Sequence, residues 1–534
     1  MTRLVSGAAV LVLALLAHGV VPASARGARP DTVFFEDLTF DEIRDAIAGG
    51  TTNVIIAAGG LEANGPQLVA GTSTDIVTYT SDRIARAVGG TLVAPVIAFA
   101  PDGTLPVPSE KGYALLLEAA ATSVKGSGFR NIFFVGEPEA SQGSLKAVAQ
   151  KLDAAWKNEG IRVHYVSDYS SQASLEQKKY VADKLRVRLV DPAQHDAFVR
   201  TSEVLAINGR RARLEKLESE IAAAPAPQYG LALLAIKVDA AAAQIRTLLG
   251  RSAQASAPAA NVTGPRVLPT PNPFVASGPS RFLEDLTSTE IREAIAGGST
   301  ILIVPTGGTE KNGFHMAMGK HNFHTRAGAE AMAGKLGNAL VAPVLQYVPE
   351  GQASIATPGV LSCARECFEQ VVGSIARGAK SLGFTDVLLV GDNGGNQAPL
   401  SNVAAALNKE WEGTGVKAYA LTDFYDKGHE YQDAWFLGQF GWDASVVGSH
   451  AGIKDTSQLL YVKPEDVRTD RIADSFTNTR ESGISGDPTK ATAEFGRIAI
   501  AFKANAAIAQ YRALKGPARA ESGDGGRPAR RGNR

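Results

Sequence analysis

Three stretches of the chain concentrate side chains able to do chemistry. The first, Gly307–His321, holds Glu310, Asn312, His315 and His321. The second, Gly391–Asn396, holds Asp392, Asn393 and Asn396, and the third, Ser449–Ser457, holds His450 and Asp455. The chain has 8 histidines, one of which, His18, lies in the N-terminal apolar run. Of the rest, His315, His321, His324 and His450 fall in or beside these stretches. With Glu310, Asp392 and Asp455 they supply the imidazole and carboxylate donors from which a metal site is built. The blander alternatives are polar remnants lining a former cleft and, for Gly394-Gly395-Asn396, a plain strand-to-helix turn, because glycine permits close backbone approach.

Each of the first two stretches follows an apolar run. Ile301–Val304 precedes one and Asp386–Val390 the other; Asn53–Ile56 and Asn131–Val135 are similar runs nearer the N-terminus. Amphipathic segments, Leu116–Lys125 and Ala364–Leu382 among them, separate these runs. Short, nearly continuous apolar strands between helices predict an α/β fold with a mostly parallel sheet covered on both faces. Ligands bind outside the carboxyl ends of such strands. The three stretches lie where that rule places a site.

The chain is written twice. Phe34-Phe35-Glu36-Asp37-Leu38-Thr39 returns as Phe282-Leu283-Glu284-Asp285-Leu286-Thr287, and Leu92-Val93-Ala94-Pro95-Val96 as Leu340-Val341-Ala342-Pro343-Val344, at an offset of 248. Further on the offset is 255, matching Trp156 to Trp411 and His195 to His450. So long a period means duplicated domains rather than a solenoid. The boundaries read as 30–250 and 281–515, with helical patterns near Arg210–Ala224 and Leu231–Leu249 closing the first repeat. A Pro/Ala-rich linker spans 251–280, and a basic tail of disordered composition runs from 516 to 534.

With the motifs placed in both repeats, the chain resembles the creatininase (creatinine amidohydrolase) family. That family carries a G-x-x-E-x-H-G-x-H-x-x-x-x-x-D segment, an N-G-H-G-G-N-type loop and an H-A-G-x-x-E-T-S segment, in that order. The resemblance implies two tandem three-layer α/β/α domains. It also implies metal-assisted hydrolysis of a small cyclic amide or related C–N bond at a pair of divalent ions, zinc or manganese. Such ions hold a hydroxide nucleophile and polarise the carbonyl. Carried over residue by residue, it makes Glu310, His315 and His321 the metal residues and His450 the acid/base, with Asp455 orienting His450 or binding the metal. Asp392, Asn393 and Asn396 become loop residues facing substrate. The pattern is damaged: Asn312 and Asn393 stand at ligand histidines, and His321 replaces a bridging Asp, which favours a single ion. In the first repeat Glu62 remains, but Asn64, Gln67 and Ser73 follow it, and Arg200 stands where a carboxylate is expected. A cation there repels a metal, so this copy is expected to be silent.

Composition narrows the rest. With 54 basic and 54 acidic residues, the chain lacks the basic excess of a nucleic-acid binder. The run Ala8–Ala17, followed by Pro22 and Ala23-Ser24-Ala25, reads as a signal peptide of residues 1–25, hence a secreted or periplasmic protein of bacterial type with no membrane span once cleaved. Cys363 and Cys367 read as buried thiols, because a bridge within one helix is awkward. For Trp435 and Trp442 the resemblance implies aromatic residues that shape the substrate pocket; the alternative is ordinary core or subunit-interface packing. The expected partner is a small amide substrate, with a homo-oligomer by family analogy. Two functions follow: an exported metal-dependent amidohydrolase working in the second repeat, or an inactive creatininase-fold protein serving as a ligand-binding or structural module.

Overall fold

The computed structural model describes residues 30–101, 105–187, 192–217, 224–251 and 280–516. The expected signal segment, the linker from 252 to 279 and the tail from 517 lie outside the described residues.

Each repeat forms a four-stranded, all-parallel sheet. In the first, β1 (Asn53–Ala58), β2 (Thr91–Val93), β3 (Asn131–Gly136) and β4 (Arg162–Tyr165) lie in the order β2-β1-β3-β4. In the second, β5 (Ile301–Thr306), β6 (Ala339–Val341), β7 (Asp386–Gly391) and β8 (Lys417–Ala420) repeat it as β6-β5-β7-β8. The apolar runs are continuous because both faces are buried. Val54 and Ile56 of β1 enter one core while Ile55 and Ala57 enter another. In β5, Leu302 and Val304 face one core, Ile301 and Ile303 the other. The chain leaves β5 for β6 on one side and reaches β7 on the other. The switch point therefore lies between β5 and β7, where the first two motif stretches begin.

One core runs through both repeats, joining Phe35, Tyr113 and Phe129 to Leu283, Phe368 and Cys363. The contacts across it come in matched pairs. Ala70 N donates to Leu286 O at 2.7 Å, and Met318 N to Leu38 O at 2.8 Å. Arg213 Nε meets Glu290 at 2.7 Å, and Arg468 Nε meets Glu42 at 2.9 Å. Glu42 and Glu290 also close capping boxes with Thr39 and Thr287. A contact in which each half offers the same patch is an isologous interface, here fused into one chain.

Two sequence expectations are corrected. Arg210–Leu217 forms two short 3₁₀ turns, not a helix; residues 218–223 lie outside the described residues. The turns let Arg211 pair with Asp285 at 2.7 Å and Arg213 with Glu290. Cys363 and Cys367 form a disulfide with Cα atoms 5.7 Å apart. The bridge is feasible because Cys363 precedes the helix Arg365–Leu382 instead of lying in it. Trp435 and Trp442 pack with Phe436, Phe440 and Phe495. Among the described residues, no helix is long and apolar enough to cross a membrane.

Candidate functional site

In the second repeat a cavity of about 220 Å³ opens beyond the ends of β5 and β7. Glu310 arrives on the loop after β5, and Lys320 and His321 open the helix Lys320–Leu336. Asn393 caps the helix Gly394–Glu410, its Oδ1 accepting from Gly395 N at 2.8 Å. His450 and Asp455 come from the third stretch. There Gly448 has φ +74°, and a Cβ on it would lie 1.9 Å from Ser485 O. That close approach lets Ser485 Oγ accept from Ser449 N and His450 N at 2.8 and 3.0 Å. Ala451 holds a left-handed φ of 52°, fastened by its N–H on Asp455 at 2.8 Å.

Charges in the cleft are paired internally. Lys320, fully buried, sets Nζ 2.7 Å from Asp455 Oδ2 and 3.3 Å from Glu310 Oε1. His321 bridges two acids, with Nε2 2.8 Å from Glu310 and Nδ1 2.9 Å from Asp392. Burial and Lys320 oppose its imidazolium, but Asp392 and Glu310 outweigh them and raise its pKa to about 9. Burial likewise opposes ionisation of Glu310, yet Lys320 and His321 hold it well below the usual carboxylate range. Asp455 is held low by Lys320 and Asp392 by Lys503, each against burial. Lys320 and burial lower the pKa of His450, so the ring is neutral at pH 7. Its Nε2 donates to Lys311 O at 2.9 Å, which turns Nδ1 toward Glu310 at 3.5 Å.

The expected residues separate into those that meet and those that do not. Glu310, His321, Asn393, His450 and Asp455 line one cleft, and Asp392 lies beneath it on His321. His315 is elsewhere: fully buried, its ring nitrogens spend themselves on Ser475 and Thr456 hydroxyls, both at 2.9 Å. Asn396 ties the turn to β5 through Thr306 Oγ1 and Gly307 O, both at 3.0 Å. Lys320, Glu350, Tyr425 and His429 join the lining without having been singled out. Lys320 adjoins His321 and was legible by position; the others come from segments without a motif. Glu350 accepts from Asn393 Nδ2 at 2.7 Å, and burial with the Glu310 charge pushes its pKa up to about 8.

The first repeat fills the matching space with a guanidinium. One Arg200 nitrogen lies 2.8 Å from Ser73 Oγ and 3.1 Å from both Glu62 and Asn64 Oδ1. Lys237 meets Glu137 at 2.5 Å behind it.

Parallel α/β layers and a cleft of carboxylates and imidazoles at the switch point define a tandem α/β protein built as an internal pair. The chain belongs to the creatininase family, whose model, described as creatinine amidohydrolase, matches residues 36–262 and 284–510. A mycofactocin precursor peptide peptidase of Mycolicibacterium smegmatis is 26% identical over 226 residues, 38% of this chain and 81% of that protein. A creatinine amidohydrolase of Pseudomonas putida is 28% identical over 209 residues, 36% of this chain and 76% of that protein. A creatininase crystal structure aligns at 24% identity and TM-score 0.37, covering 45% of this chain and all of that one.

Matched creatininase structures include a zinc–zinc type and a manganese form. The residues here do not fit a metal pair. Asn312 turns Nδ2 to the carbonyls of Glu310 and Ala317 at 2.9 and 3.0 Å. Both ends of Asn393 are engaged, and an ammonium lies between Glu310 and Asp455. A buried cation among the ligand carboxylates takes up the charge that would draw a dication. A smaller grouping, His321, His324 and Asp392, does bring donor atoms within 4.8 Å of one another.

Proposed function

We propose that the second-repeat cleft binds a small uncharged molecule carrying amide or ureido groups, and binds it without paired-metal hydrolysis. The observation that carries this reading is the buried Lys320 ammonium between Glu310 and Asp455. The charges of Glu310, Asp455 and Asp392 are matched by Lys320, His321 and Lys503, and Glu350 keeps its proton at pH 7. The cleft is therefore neutral, and a charged ligand would leave desolvation uncompensated. It offers acceptors at Glu310 and His450 and donors at Tyr425 and Ser449. At about 220 Å³ it suits a molecule smaller than a drug-sized ligand. The relatives' names, a peptidase and a creatinine amidohydrolase, both point to amide recognition. The N-terminal apolar run and the disulfide support a location outside the cytoplasm.

The second reading, hydrolysis, is favoured by Glu310 and neutral His450 still facing each other at 3.5 Å. Calorimetry with creatinine and a series of cyclic ureides, run beside NMR detection of ring-opened product with zinc or manganese present, separates the two. Binding that weakens at least about tenfold in His450→Ala, with no product, is expected. Product formation that Glu310→Gln abolishes would establish hydrolysis instead. No binding by any member of the series would overturn the binding reading.

A further inference from the structure

In both repeats, a lysine of the last helix meets the acid that follows the third strand. Lys237 meets Glu137 in the first, and Lys503 meets Asp392 in the second. The first repeat sustains this pair without imidazoles: at the offset of 248, Ser73 and Ile76 stand where the second has His321 and His324. The second repeat adds two histidines to the same acid, and the ion pair does not explain them.

Three residues apart, His321 and His324 fall on one face of the helix Lys320–Leu336. Their Nδ1 atoms lie 2.9 and 3.3 Å from the same oxygen, Asp392 Oδ2. His324 is fully buried; its Nδ1 meets only Asp392 Oδ2, at 3.3 Å, and its Nε2 has no hydrogen-bond partner. A buried polar group left so is costly and calls for an explanation.

We propose that Nδ1 of His321, Nδ1 of His324 and Oδ2 of Asp392 form a mononuclear site for a zinc-class divalent ion beneath the floor of the cleft. Two imidazoles and a carboxylate are donors suited to zinc and its neighbours rather than to magnesium or calcium. The ion replaces the His321 Nδ1 proton, which leaves to solvent, and takes the lone pair of His324 Nδ1. His321 Nε2 holds Glu310 at 2.8 Å; Lys503, unlike Lys320, does not lie between the donors but on the far oxygen of Asp392, which leaves Oδ2 to the ion. A ligating histidine commonly carries such a carboxylate on its second nitrogen. His324 and Asp392 occupy none of the family motif's ligand positions, so this site is not the relatives' pair in reduced form. His324 and Asp392 lie behind the cleft lining. The ion's work is therefore to pin the start of Lys320–Leu336 to the end of β7 and, through His321, to fix Glu310.

The test uses the full chain, stripped of metal by chelator dialysis and offered zinc alone or cobalt(II) alone. Elemental mass spectrometry is expected to find about one zinc per chain, and zinc to raise the melting midpoint by about 5 °C. Cobalt(II) is expected to give the intense visible absorption of low-coordinate nitrogen–oxygen ligation. His324→Leu is expected to lose all three signals while His315→Gln keeps them; should His324→Leu not fold, His324→Gln carries the same comparison. A wild-type chain that stays zinc-free, or zinc retained without His324, would overturn the site. Metal content is read apart from ligand binding and turnover, so failure of this site and failure of the cleft's function are distinguishable.

Discussion

The Lys320 ammonium lies 2.7 Å from Asp455 Oδ2, and none of the lysine is exposed. This contact makes the second-repeat cleft a neutral pocket instead of a cluster of acids. Removing one partner of a buried pair leaves the other charge uncompensated, at a cost of about 3–5 kcal/mol. Lys320→Met is therefore expected to lower unfolding stability by that order, measured by urea denaturation. An unchanged transition midpoint would show that Glu310 and Asp455 do not depend on the ammonium.

Glu350 supplies a pH signature. Burial and the Glu310 charge push its pKa up to about 8, above the roughly 4.3 of an unfolded glutamate. Between those values the folded protein holds a proton that the unfolded chain has released, so stability falls as pH rises from about 4 to about 8. Glu350→Gln keeps an uncharged side chain throughout. The stability difference between wild type and variant is expected to grow in the variant's favour up to about pH 8 and then level off. Thermal melts of both proteins at half-unit pH steps check it; parallel curves would refute it.

Much of this was legible in the sequence, for physical reasons. Strands buried on both faces need unbroken apolar runs, so β1, β3, β5 and β7 stood out, and the switch-point rule placed the site at their ends. The second-repeat stretches could be read as one cleft because Glu310, His321, His450 and Asp455 come from segments that the fold must bring together. Side-chain direction was not legible. His315 has the residue type of a ligand, yet Ser475 and Thr456 hold its ring inside the protein. Nor did local pattern disclose that Arg211 and Arg213 would reach across to the other repeat; that pull replaced a helix by turns. That Cys363 and Cys367 pair was not legible either, because it depends on the backbone just where the helix Arg365–Leu382 begins.

Arg200 does for the first repeat what Lys320 does for the second. Its guanidinium touches Glu62, Asn64 and Ser73 and lies 3.8 Å from Glu137. Arg200→Met is expected to destabilise the chain by up to about 3 kcal/mol, because the acids lose a half-buried partner. Ligand affinity in the second cleft, measured by calorimetry, is expected to stay within about twofold. Loss of binding in this variant would mean that the two clefts act together.

The Cys363–Cys367 disulfide stands at the edge of the segment that carries Glu350. Cys363 N donates to Val348 O at 3.0 Å. Ser362 Oγ accepts from Glu350 N at 3.2 Å and donates to Glu350 O at 3.0 Å. The bridge closes a loop with a sequence separation of only 4, for which the chain-entropy relation gives about 2 kcal/mol. Unfolded without reductant, the protein is expected to show no free thiol, and after reduction the 2 its sequence holds. The double substitution Cys363→Ala and Cys367→Ala is expected to lose about 2 kcal/mol and to weaken ligand binding, because Glu350 is no longer held from behind. Two thiols titrating before reduction would rule the bridge out. Full ligand affinity in the double variant would show that Glu350 is positioned without the bridge, by Asn393 and Ser362.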